Sequence, residues 1–471
     1  MSDARAGASP AAVVALLVAM FTAMTMQPAA ATPAVAGSRA LDRELAAIVD
    51  DPAHPLASLS VLAVRAGRVV YQREFGFRSI DNADPSRNRR ADSRTLYRIA
   101  SISKLVTTLG VMKLVEAGKL DLDRDAGDYL GFPLRNPHFP DVPITLRMML
   151  THTSSLRDDA GYYWDKASGV TLADVLSPGG RQYAAGAMWA ANAVPGAYFH
   201  YANLPWGVVG TIIERVTGER FDRALRRLVL DPLQLHGGFE PAEFTPADLA
   251  DTATLYRKRV ETGGREIWNT AGPWIAQVDD YVNASPVPRA NADYAIGTNG
   301  TLFGPQGNCR LSAAGLATIM QMLMRQGLHR GKQFLKPSTV ATMLGEQWRY
   351  DTIRANGRND FGSHRESMNA WGLGNQHFID VTGAGSGDRL AEGVAWKGKG
   401  HSGDAWGLTS LLFFDDTKRD GLVFLIGGPG FDPETYPGVY SARYRHEEKI
   451  LTAMHRHLFA GASNQRKRTA K

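Results

Sequence analysis

Strand-forming patterns lie at both ends of this 471-residue chain, and helical patterns fill the long stretch between them. Near the start, Leu59 to Val64 and Val69 to Phe77 are β-rich runs joined by Arg65-Ala66-Gly67-Arg68. Two apolar runs across a short glycine-containing turn read as a hairpin. Near the end, Trp406 to Asp415 and Gly421 to Gly427 repeat that pattern around Asp416-Thr417-Lys418-Arg419-Asp420. Between Lys119 and Val287 the spacing predicts helices, among them Ile144 to Leu150, Trp206 to Val216 and Phe221 to Leu230. Strands so far apart in sequence need one another as partners. The economical fold is therefore α+β: one antiparallel sheet built from both chain ends and flanked by helices, an all-helical region beside it, and a cleft between the two. The expected division is an α/β domain from 37–118 and 295–460 and a helical domain from 119–294. Further helices are expected at Leu41 to Val49, Leu311 to Gln326 and Tyr444 to Leu458, and a polar, irregular segment at Tyr350 to Gly393.

The termini are of a different kind. Residues 1–36 resemble a secretory signal: Arg5, then an uncharged, mostly apolar run from Ala11 to Met26, then the small-x-small site Ala34-Val35-Ala36. Pro28 and Pro33 within it argue against a full membrane span, and no stable span is expected after its removal. The single cysteine, Cys309, forms no internal disulfide and belongs to no metal cluster. The expected address is a bacterial periplasm or the medium. The net charge is +6, and Arg466, Lys467, Arg468 and Lys471 in the 461–471 tail supply four of those charges. The basic balance is thus largely that of a disordered tail, and no nucleic-acid partner is expected.

Three stations carry the chemistry. The first is Ser101-x-x-Lys104, at the head of a helix whose apolar residues recur at Ile102, Leu105, Val106, Leu109, Met112 and Val115. Residues three apart share a helix face, so hydroxyl and amine can meet. The helix start adds free N–H groups and partial positive charge, and a desolvated lysine can act as a base. Alone, Ser-x-x-Lys occurs about once by chance in a chain this long. The second station, Pro195-Gly-x-x-Phe199-x-Tyr201-x-Asn203, is a turn into a helix. Its phenol, near a lysine ammonium, is pushed toward its ionised form, and Asn203 offers donor and acceptor to orient the lysine and a substrate carbonyl. The third, Gly400-His401-Ser402-Gly403-Asp404, directly precedes a strand. Its glycines allow close backbone approach, and an edge strand there can offer N–H groups to a carbonyl oxygen.

These stations in this order resemble the serine β-lactamase and penicillin-recognising hydrolase superfamily, in its class C-like branch with D-aminopeptidase and family VIII esterase relatives. The stretch Ile144 to Leu156, with its Leu-Thr-His-Thr-Ser core, and Val209-Gly-x-Ile-Ile-Glu-x-Val-Thr-Gly218 extend the likeness. The resemblance implies acyl transfer without metal or other cofactor on a small-molecule or peptide substrate. Ser101 would attack, Lys104 and Tyr201 would handle its proton, Asn203 would position substrate, and the N–H groups of Ser101 and Asp404 would hold the oxyanion. Two departures stand out. His401-Ser402-Gly403 replaces the Lys-Thr-Gly of true β-lactamases, which implies weaker, pH-dependent capture of a carboxylate by a partly charged histidine. Ser155 replaces a glycine common after Thr-His-Thr-Ser. The expected activity is hydrolysis of an amide or ester, peptidase-like or esterase-like. A true class C-like β-lactamase and an inactive binding or sensor protein on the same fold are the alternatives. The sequence leaves oligomeric state and substrate identity open.

Overall fold

The computed structural model describes residues 38–460 apart from Trp406, so the expected signal segment and basic tail lie outside the described residues. Nine strands form one antiparallel sheet. In chain order they are β1 (Ser58–Arg65), β2 (Arg68–Ser79), β3 (Arg89–Arg90), β4 (Trp348–Arg349), β5 (Ala370–Trp371), β6 (Gln376–Phe378), β7 (Gly398–Ala405), β8 (Leu408–Asp415) and β9 (Asp420–Ile426). Their spatial order is β4-β5-β6-β7-β8-β9-β1-β2-β3, so the two ends of the chain meet where β9 pairs with β1.

The central strands are apolar at nearly every position because both sheet faces are covered. Along the register, Val61, Phe424 and Leu411 lie side by side, as do their sequence neighbours Leu62, Val423 and Leu412. The first row points to α1 (Ser38–Val49) and to a C-terminal helix, α5 (Arg445–Met454); the second points to α2 (Ile102–Glu116) and α4 (Ala313–Met324). The alternation follows from the two-residue side-chain period of a strand.

Helix α2 departs from the one-faced amphipathic helix that its apolar spacing predicts. It is buried around its whole circumference from Ile102 to Met112. Its small polar residues are used internally: Thr107 donates to the Pro305 carbonyl, and Ser103 Oγ accepts from Cys309 N. Gly110 leaves room for Leu225, which a β-carbon there would approach to 2.9 Å. The helix is a central rod with packing on all sides.

Two further departures have local causes. The 119–294 stretch, expected to be all helical, contains strand pairs Leu255–Arg257 with Ile275–Val278 and Arg259–Thr262 with Arg265–Trp268. The second pair turns on Gly263-Gly264, both at positive φ, the geometry a two-residue hairpin requires. The third station is itself strand β7 rather than a turn before one. Its glycines lower strand propensity, but Gly400 lets β7 lie against the Leu412 carbonyl, where a β-carbon would sit 1.9 Å away.

Candidate active site

Three element ends converge: the start of α2, the start of α3 (Leu204–Thr217), and the C-terminal half of β7. Ser101 stands just before α2 in helical geometry (φ −66°, ψ −11°), directly after Ala100, which is held at φ 45°. A left-handed alanine is strained, and such strain persists only where packing enforces it. Here the enforcing neighbour is Gly403. A β-carbon there would lie 2.6 Å from the Ile99 carbonyl and 3.1 Å from Ala100 Cβ, so only glycine lets β7 back onto this turn. β6 pairs with β7 only from Gly398 to Gly400, so among the described strands none covers that edge from His401 to Ala405.

Lys104 is fully buried, with Nζ 3.1 Å from Ser101 Oγ, 2.9 Å from Asn203 Oδ1 and 3.0 Å from the Gln306 carbonyl oxygen. Burial pulls its ammonium down to about 7, with Asp158 opposing the shift. Both forms of the amine are populated near that value, and the ammonium donates to all three partners. Amide and backbone carbonyl oxygens only accept, so a neutral Lys104 gives its two N–H groups to Asn203 and Gln306. Its lone pair is left for the Ser101 hydroxyl proton.

Tyr201 packs its ring against the lysine, with Nζ 4.8 Å from the ring centroid. Burial raises its phenol above the ordinary tyrosine range, against the pull of a hydrogen bond with Ser101. The expected push toward a phenolate is therefore outweighed by desolvation. The segment carrying Tyr201 is shaped from behind by His152, whose Nδ1 accepts from Ala202 N at 3.2 Å and whose ring stacks on Tyr201 at 4.3 Å.

Asn203 is fixed by a residue that sequence reading passed over. Asp158 accepts from Asn203 N (2.8 and 2.9 Å), Leu204 N (2.8 Å) and Asn203 Nδ2 (3.0 Å). It thereby caps the start of α3 and leaves Asn203 Oδ1 facing Lys104. Burial raises the Asp158 carboxyl, while these donors and Lys104 lower it. A cap contributed from 46 positions away has no local sequence signal.

His401 is not the partly charged histidine that the resemblance implied. Its side chain is 1% exposed and packed between Tyr201 and Trp371. Nδ1 lies 2.6 Å from the Ser402 carbonyl, an acceptor, so Nδ1 carries the proton. Burial, with Lys104 nearby, drives the ring down to about 3 and keeps it neutral. Ser402 Oγ is held by Arg443 Nη2 at 2.9 Å. Asp404 is exposed to the cleft.

Ser101 lines two cavities. One, of about 700 Å³, is walled by Tyr162, Tyr163, Asn203, Arg98 and Arg289; the other, of about 70 Å³, runs along β7 to Arg443 and Glu447. Phe361 borders both and meets Tyr201 edge-on at 4.9 Å. It stands at the tip of a turn closed by its mutual backbone hydrogen bonds with His364. The irregular 350–393 segment thus supplies β5, β6 and part of the cleft wall.

A family model described as Beta-lactamase matches residues 41–438. The chain belongs to the beta-lactamase family. Esterase EstB of Burkholderia gladioli is 31% identical over 200 residues, 40% of this chain and 48% of that protein. Protein flp of Staphylococcus aureus (strain MRSA252) is 26% identical over 182 residues, 38% of this chain and 34% of its own length. The chain thus aligns with less than half the length of these curated relatives. Among solved structures, EstCE1, "a hydrolase with promiscuous acyltransferase activity", superposes with a TM-score of 0.57 at 20% identity, covering 89% of this chain and 99% of that one. A D-stereospecific amidohydrolase from Streptomyces sp. does so at 0.54 and 18%, covering 90% and 99%. A penicillin-binding protein homologue from Caulobacter crescentus gives 0.57 and 18%, covering 90% and 98%. These likenesses establish the fold. Among the described residues no helix is long and apolar enough to cross a membrane.

Proposed function

We propose that this chain is an exported serine hydrolase that cleaves an ester or amide through an acyl-enzyme on Ser101. The observation that carries the reading is the Lys104 environment: a fully buried amine near neutrality whose other partners are pure acceptors. Lys104 takes the Ser101 hydroxyl proton as Oγ attacks the substrate carbonyl carbon. The carbonyl oxygen becomes an oxyanion held by the backbone N–H groups of Ser101 and Asp404. The intermediate collapses, and the leaving alcohol or amine departs with the proton from Lys104. Water then attacks the acyl ester with the same groups in reverse roles, releasing a carboxylic acid and restoring Ser101. The raised Tyr201 phenol supports a role as neutral hydrogen-bond partner of Ser101 and of the leaving group rather than as the initial base.

The neutral, buried His401 supports a peptidase-like or esterase-like activity over a β-lactamase, because position 401 carries no charge to draw a drug's carboxylate. The test is intact mass after exposure to a fluorophosphonate. One adduct on the wild type and none on Ser101→Ala is expected. Absence of an adduct from this and a second acylating probe would favour a binding protein, and an adduct surviving in Ser101→Ala would mean another nucleophile.

A further inference from the structure

We infer that the Asp404 carboxylate receives a cationic amine on the acyl half of the substrate, so that the esters or amides cleaved are those of α-amino acids; this rests on the serine-hydrolase reading above. Asp404 borders both cavities that contain Ser101, and its side chain is open to them. No hydrogen bond or ion pair engages its carboxylate among the described residues. The nearby basic groups have partners of their own. Arg443 donates to Ser402 Oγ and pairs with Glu447 at 3.6 Å, and His364 Nδ1 is bonded to the Ala442 carbonyl at 2.6 Å. Arg257 faces Glu266 at 3.8 Å. Desolvation by the cleft walls is the main upward push on the Asp404 carboxyl, Glu447 and Glu434 add like charge in the same direction, and His364 and Arg257 oppose them.

Covalent geometry sets what such a carboxylate can touch. The Asp404 N–H is assigned to the oxyanion, and the carboxylate is three bonds from that nitrogen along its own side chain. A substituent on the acyl α-carbon is equally close to the scissile carbonyl. The carboxylate and an α-substituent therefore meet when the carbonyl oxygen sits at the Asp404 N–H. With a neutral substituent, an unpaired negative charge stands beside a developing negative charge, which opposes the transition state. With an ammonium there, the substrate supplies the missing counter-charge, and the carboxylate becomes a source of selectivity rather than a liability.

The experiment compares kcat/KM for the methyl esters and p-nitroanilides of L- and D-alanine with those of their N-acetyl counterparts, which keep the acyl frame and lose the charge. The expected result is a preference for the free amine of tenfold or more in at least one enantiomer, and a fall of that ratio by at least tenfold in both Asp404→Asn and Asp404→Ser. Fluorophosphonate labelling of each variant confirms an intact Ser101. A wild-type ratio near one, or a preference that survives in labelled variants, overturns the inference while the hydrolase reading stands. Failure to label or to turn over any ester overturns both.

Discussion

Two buried ionisable groups sit at opposite ends of helix α3, and both titrate at about 7: Lys104 against its start and Glu214 in its last turn. Burial is the first cause in each case, lowering the amine and raising the carboxyl. Their surroundings differ in kind. Glu214 is closed by donors, accepting from Phe221 N at 2.9 Å, Gly297 N at 2.8 Å and the Tyr294 hydroxyl at 2.6 Å. Those donors staple two later segments to the helix, and nothing is left for a reactant. Lys104 has two pure acceptors and one hydroxyl, and that hydroxyl opens onto the cleft. A displaced pKa therefore does not by itself mark a catalytic group. What distinguishes the amine is that, when neutral, its spare lone pair is aimed at a hydroxyl bordering the cleft.

Mutating the two groups separates their roles most strongly. Lys104→Ala is expected to slow acylation of Ser101 by about a thousandfold or more, as loss of a general base does. Glu214→Gln should leave acylation within roughly threefold but lower stability by about 1–3 kcal/mol, because an amide cannot accept from all three donors. Chemical denaturation and labelling rates on the same preparations check both. Equal losses of acylation would erase the contrast.

The next largest effect concerns the turn that presents Ser101. Gly403→Ala must drive β7 off the Ile99 carbonyl, and a roughly hundredfold loss of acylation is expected with the fold retained. Near-wild-type labelling would show that the close approach is dispensable.

A smaller difference lies in how stability follows pH. The Glu214 carboxyl is raised from 4.5 to about 7, so the folded chain holds this proton longer than the unfolded chain. Its contribution is complete below 4.5 and is lost as pH rises toward 7. The Lys104 ammonium is lowered from 10.5 to about 7, so its burial penalty is complete below 7 and is relieved as pH climbs from 7 toward 10.5. Unfolding free energies measured across pH 5–9 should lose the lower slope in Glu214→Gln and the upper slope in Lys104→Met. Unchanged slopes would contradict the assignments.

The smallest effect is expected at Ser155, which takes φ 64°, a backbone region that favours glycine, while its Oγ accepts from Asn136 Nδ2 at 3.0 Å. Ser155→Gly exchanges backbone strain for a lost hydrogen bond. A net change within about 1 kcal/mol by denaturation is expected, and a loss above about 3 kcal/mol would show that the hydrogen bond dominates.

What the sequence carried well was local. Ser101 and Lys104 share a helix face because they are three apart, and the apolar runs of β1, β2, β8 and β9 announce a sheet made from both ends. What it hid was set by distant neighbours. Asp158 acts on a helix that starts at Leu204, so no spacing rule connects them. His401 looks titratable in sequence and is kept neutral by burial, with Tyr201 and Trp371 from two other segments enclosing it, and by the nearby Lys104. The strand character of β7 was masked by the glycines that let it pack so closely. The hairpin at Gly263-Gly264 carried a readable signal, alternating residues around a double glycine, that the helical character of its surroundings obscured.

The most direct test of the central claim is the pH dependence of Ser101 acylation, followed as the rate of fluorophosphonate adduct formation by intact mass. A neutral Lys104 acting as base predicts a rate that rises with pH, bends near 7 and is flat above it, with that bend absent in Lys104→Ala. A rate still climbing toward pH 10, with the bend abolished by Tyr201→Phe instead, would move the base to the phenol and contradict the account.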